Sequence, residues 1–88
     1  MNLDKKYRDK VLKIMELAIK KTVPNKIDVF VNFSAHVGTL SVSIYKDGWG
    51  LKIKNDHIYL DDETILYKEH EEMLEKELDN VIKIIEEL

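Results

Sequence analysis

The hydrophobic pattern predicts an α+β fold: a single domain over residues 1–88, ordered α-β-β-β-β-α, with an antiparallel four-stranded meander and both helices on one face of the sheet. Three observations carry that prediction. The apolar period is helical at each end of the chain and two in the middle. Turn residues cut the middle into strand-length pieces. A chain of 88 residues is also too short to divide into two hydrophobic cores.

The first helix is expected over residues 3–22. Leu3, Tyr7, Val11, Ile14, Met15 and Ala18 recur at helical spacing with charges between them. Asn2 or Asp4 offers an N-cap, and Lys20 and Lys21 suit the negative end of the helix dipole. Pro24 pushes Val23 out of helical geometry, so the helix ends near Thr22.

Strands are expected over residues 27–36, 39–46, 49–54 and 57–60. Ile27, Val29, Val31, Phe33 and Ala35 alternate with polar neighbours and with Phe30, then Leu40, Val42 and Ile44 alternate with Thr39, Ser41, Ser43 and Tyr45. Trp49, Leu51 and Ile53 continue the inner face, and Ile58 and Leu60 complete it. Asp47-Gly48 is a strong signal for a two-residue hairpin turn, and Val37-Gly38 and Asn55-Asp56 are taken as the other two turns. Such turns would pair Phe33 with Val42, Ile44 with Leu51, and Ile53 with Ile58, setting apolar against apolar at every joint. Val37 is β-branched and disfavours positive φ, so the turn there needs Gly38 at its third position.

The second helix is expected over residues 62–88. Asp61, Asp62, Glu63 and Thr64 supply capping residues and acids at its start. Leu74, Leu78, Val81, Ile85 and Leu88 then mark an apolar face. A helix of that length would overhang the sheet. Its last turns carry Ile82, Ile84, Ile85 and Leu88 around more than one side, which implies a second contact surface and a homodimer built on those four residues.

Charge follows position. Residues 1–26 sum to +5, residues 27–60 to zero and residues 61–88 to −8, for a net −3. The flanks of two helices packed side by side would complement each other. An acidic protein is poorly suited to nucleic acid, whose binding depends on neutralising several phosphates at once. No apolar run approaches the roughly 18 residues of a membrane span. No hydrophobic leader follows the first charges, and with no cysteine there is no disulfide or thiolate chemistry. These features point to a cytoplasmic protein.

The sheet face away from the helices is the candidate site. Phe30, Asn32, Ser43, Tyr45, Lys52, Lys54 and Tyr59 fall on it, setting aromatic rings beside hydroxyls, an amide and two lysines. A face of this kind suits a protein partner. The alternative is single-stranded nucleic acid, its bases stacked on Phe30 and Tyr45 and its backbone held by Lys52 and Lys54.

Chemistry of other kinds is not indicated. The run from His70 to Leu74 opens like a zinc-protease helix, but position 74 is Leu where a second His would bind. His36 and His57 share no ligand spacing with His70, and no metal or other cofactor is expected. Asp61, Asp62 and Glu63 are explained by capping, and no Ser sits in a strained elbow, so no catalytic residue is assigned. A chain of this size also leaves little room for a pocket of ~300 Å³.

Phe33-Ser34-Ala35-His36-Val37, followed by Ser41-Val42-Ser43-Ile44-Tyr45 and Gly48-Trp49, resembles small hypothetical proteins carried in prophages of AT-rich Gram-positive bacteria. Thirteen Lys against one Arg, and ten Ile, suit such a source. The resemblance implies an accessory role in phage or host control exercised through binding, with no assigned activity and no site residues carried over.

Overall fold

The computed structural model describes residues 3–34, 36, 38–46, 51–60 and 68–88, and of residues 51–53, 59 and 68–72 the backbone alone. Within them lie helix α1 (Lys5–Lys21), strands β1 (Ile27–Ser34), β2 (Thr39–Lys46) and β3 (Leu51–Tyr59), and helix α2 (Lys68–Glu86). The strands form one antiparallel sheet in the order β1-β2-β3. The fold class is α+β, as the sequence predicts.

α1 starts at Asp4, whose backbone carbonyl accepts hydrogen bonds from Tyr7 and Arg8 while its side chain makes no capping bond. It ends at Thr22, as Pro24 requires. The next four residues turn the chain back: Lys26 N–H donates to the Val23 carbonyl, and Val23 and Ile27 exchange backbone hydrogen bonds. Asn25 holds φ at 69° behind Pro24, the residue pair a type II turn prefers.

Register departs from expectation at both hairpins. β1 and β2 pair Ser34 with Thr39, Phe33 with Leu40 and Val31 with Val42, two residues away from the expected alignment. A slip of two leaves every side chain on its expected face. Four residues, 35–38, thus connect these strands, with Ala35 and Val37 outside the described residues and Gly38 at φ 62°.

The second departure has larger consequences. Asn55 and Asp56 do not form a turn; they lie inside β3, which pairs with β2 along its length. The two short strands expected over 49–54 and 57–60 are therefore one, and no fourth strand occurs among the described residues. Ile44 pairs with Lys54 and Val42 with Asp56, an odd shift that turns Lys54 and Asp56 onto the helix side. A bulge at Ile44/Tyr45 then restores the alternation, pairing Tyr45 with Lys52 and Lys46 with Leu51. The expected Asp47-Gly48 turn lies outside the described residues, but the pairing that flanks it leaves four residues between the strands rather than two.

Both helices lie on the sheet face of Leu40, Val42 and Ile44. These strand residues are buried with Ile58 and Leu60, with Leu3, Tyr7, Ile14 and Leu17 around α1, and with Leu74, Leu78, Val81 and Ile85 of α2. The helices run side by side, joined by ion pairs Lys6–Glu75 at 3.9 Å and Lys10–Asp79. That cross-helix pairing is the complementarity suggested by opposite charge at the two ends of the chain.

The buried arc of α1 is rotated from the expected one. Leu17 is buried against α2's side, whereas Met15 is 41% exposed, and Leu12 and Ile19 stand out at 66% and 73%. α2 is also positioned differently. Ile85 is wholly buried in the shared core, and Ile82, Ile84 and Leu88 are half-buried against it. The described nineteen residues of this helix span roughly 28 Å, about the length of the strands.

On α2, Glu77 carries a carboxyl pKa raised above its ordinary 4.5, first by partial burial and then by the nearby Asp56 carboxylate. Folding therefore disfavours the charged form, so Glu77 subtracts stability above its folded pKa. That loss fades as the pH falls from the folded pKa through 4.5 and is gone well below it, where both states hold the proton. Glu77→Gln should melt about 1–2 °C above the parent at neutral pH, a modest gain because the side chain is largely exposed. Melting curves from pH 7 to about pH 3.5 should converge; a gain that persists in acid would assign the effect to something other than this ionisation.

Candidate functional site

The outer sheet face is built from the even residues of β1 and the odd residues of β2. Asn32 pairs with Ser41 and Ser41 with His57, while Phe30 pairs with Ser43 and Ser43 with Asn55. Asp28 pairs with Tyr45 and Tyr45 with Lys52; Ser34 pairs with Thr39 and Thr39 with Tyr59. Both helices occupy the opposite side, and no described element crosses this one.

Side-chain bonds tie the rows together. Ser41 Oγ lies 2.8 Å from His57 Nδ1, in a hydrogen bond across the β2–β3 ladder. One row along, Ser43 Oγ donates to Asn55 Oδ1 at 2.8 Å. Phe30 and Tyr45 sit diagonally across the β1–β2 ladder with ring centroids 5.6 Å apart at 86°, the edge-to-face geometry that aromatic quadrupoles favour. Phe30 is still 40% exposed in that pair. Asp28 buries Oδ2 with no hydrogen-bond partner among the described residues.

Of the seven residues expected here, Phe30, Asn32, Ser43 and Tyr45 share the face, and the register brings Lys52 and Tyr59 to the same rows. Lys54 does not belong to it. The odd shift in β3 carries Lys54 to the helix side, where its Nζ meets Asp56 at 3.3 Å. Asn55 takes its place. Ser41 and His57 join the face as a hydrogen-bonded pair. Asn55 was beyond reach of the pattern because an Asn-Asp dipeptide signals a turn more strongly than a strand.

No family model, curated protein or solved structure matches this chain.

The chemistry available follows from the side chains themselves. A serine hydroxyl bonded to an imidazole could begin a nucleophile–base unit, which also needs a third group orienting the base and donors for a developing oxyanion. Among the described residues no carboxylate is bonded to His57, and the pair lies on an open sheet rather than in a cleft. It is a cross-strand hydrogen bond joining β2 to β3 within one row. No three His, Cys, Asp or Glu residues are grouped to hold a metal ion among the described residues. No helix of the described chain is long and apolar enough to cross a membrane.

A groove does exist, contrary to the expectation of little room. It has a volume of about 310 Å³ and is lined by Leu3, Arg8, Val11, Leu12, Phe33 and Leu60. It lies on the helix side, between the first half of α1 and the sheet end that carries Phe33 and Leu60. With five apolar residues and one guanidinium, its lining lacks the several converging polar groups of a typical catalytic pocket.

Proposed function

We propose that the chain is a small, non-catalytic protein-interaction module that receives a protein partner on its outer sheet face. The observation that carries this reading is the edge-to-face pair of exposed Phe30 and half-buried Tyr45, flanked by hydroxyl and amide rows and by Asp28 and Lys52 in the row of Tyr45. Rigid aromatic anchors surrounded by adaptable hydrogen-bonding groups are what protein interfaces select. The single-stranded nucleic-acid reading is the weaker one, because Lys54 leaves the face and only Lys52 remains in its rows. The likeness to small prophage proteins suggests a partner in phage or host control.

The test is binding by the whole chain immobilised against nuclease-treated lysate of its source, with the captured protein then purified and titrated. Phe30→Ala and Tyr45→Ala should each weaken that complex by roughly 30-fold or more, with unchanged far-ultraviolet dichroism. Lys54→Ala should bind like the parent. A partner held equally well by a Phe30→Ala/Tyr45→Ala double variant would remove the site from this face.

A further inference from the structure

The two edges of the sheet are unequal. β3 is guarded by a bulge and by the charged side chains of Lys54 and Asp56, devices that keep an edge strand from pairing further. β1 is guarded over its first half only. Thr22 Oγ1 accepts the Val29 N–H at 3.2 Å, and Val23 closes Ile27 by backbone hydrogen bonds. Both bonds lead away from β2, so the odd residues of β1 aim their backbone groups outward, and Val31 and Phe33 do the same by the period of two. Among the described residues nothing bonds those outward groups. The open stretch from Val31 to Phe33 contains no proline, no charge and no bulge.

Beside this open edge lies an apolar flank that no described element covers. Leu12, Met15 and Ile19 follow one another along α1 on the side away from α2, and Phe33 of β1 is 50% exposed next to them. The groove between Leu12 and Phe33 joins the helix flank to the strand edge.

We propose that a second copy of this chain packs on the flank, about a two-fold axis passing beside Leu12 and Asn32. The surface is self-complementary, as an isologous contact must be. The open stretch is centred on Asn32, so an antiparallel copy sets Val31 opposite the partner's Phe33 and Phe33 opposite the partner's Val31. On the helix, Arg8 and Glu16 stand one turn before and one turn after Leu12. Antiparallel packing of α1 on α1 about Leu12 places each Arg8 against the partner's Glu16. Neither residue has an ion-pair partner among the described residues, whereas Lys5, Lys6 and Lys10 are already engaged within the chain. Leu12 and Phe33 line the same groove, so one axis serves helix and strand together. The dimer would carry a continuous sheet of six strands and leave both outer faces clear.

Sedimentation equilibrium of the full chain, from about 1 to 500 μM, tests the proposal over the usual range of weak to moderate association. The parent should reach twice the 10.4 kDa chain mass. Leu12→Glu, at an exposed position, should keep its dichroism and remain monomeric throughout. Arg8→Glu and Glu16→Arg should each move the midpoint about tenfold toward higher concentration, and the double swap should return it to within about threefold of the parent. A parent monomeric at every concentration overturns the proposal. So does a Leu12→Glu variant that associates like the parent, a double swap that recovers nothing, or association lost on Ile84→Asp and Leu88→Asp but not on Leu12→Glu. Binding to the outer face is scored separately by the Phe30 and Tyr45 variants.

Discussion

Ile85→Ala is expected to lower the free energy of unfolding by about 2–5 kcal/mol, a large share of the roughly 5–15 kcal/mol that holds a small domain together. Ile85 is wholly buried in the core that includes Leu78 and Val81 of α2 and Ile14 and Leu17 of α1. Removing three of its side-chain carbons loses their transfer free energy and leaves a cavity that close-packed neighbours can only partly fill. For a chain of 88 residues the melting temperature should fall by about 10–30 °C. Ile84→Ala is the control: Ile84 is half-buried on the rim and should cost about 1 kcal/mol. Urea unfolding of both variants decides the matter, since a pure loss of stability moves the midpoint and leaves the slope unchanged. Equal losses at the two positions would contradict the burial described for α2.

Gly38→Val should be the next most damaging change, at about 1–3 kcal/mol. Gly38 holds φ at 62°, a region that a side chain branched at Cβ can hardly enter. The residue is buried, and its carbonyl accepts the N–H of Leu60, so the turn cannot relax without releasing the end of the inner sheet face. Gly38→Asn should cost distinctly less, because Asn tolerates the left-handed region. Asn25 makes the same point from the other side: at φ 69° it already occupies that region, behind a proline that fixes the preceding residue. Thermal melts ordered parent, Gly38→Asn, Gly38→Val are expected. A Gly38→Val protein melting with the parent would mean that the turn has another conformation open to it.

Element type was legible in the sequence because period is a local property. Alternation in Ile27 to Phe33 and in Leu40 to Ile44 locates β1 and β2, and Pro24 with Asn25 stops α1 and starts the turn. The sheet face of Phe30, Asn32, Ser43 and Tyr45 follows from the same alternation. The face survived an error in the β1–β2 register, since a slip of two residues cannot move a side chain from one face to the other. Matching apolar to apolar across a joint is blind to such a slip for the same reason.

Where the error was odd, the site changed. Asn55-Asp56 reads locally as a turn, and the long strand through it exists because β2 offers continuous pairing partners from Thr39 to Lys46. The strand sets Lys54 and Asp56 on the helix side, where they pair with each other, and delivers Asn55 and His57 to the outer face. On the helices, periodicity fixes which residues share a stripe but not which stripe meets a neighbour. Packing of α1 between α2 and β1 buries Leu17 and leaves Leu12, Met15 and Ile19 outside, and packing of α2 buries Ile85, which sequence alone assigns to a dimer contact. The sequence by itself determined the kind and order of the elements through local dihedral preference and hydrophobic period; the tertiary structure alone decided register, burial and the open edge of β1, because those depend on which distant surfaces exclude water together.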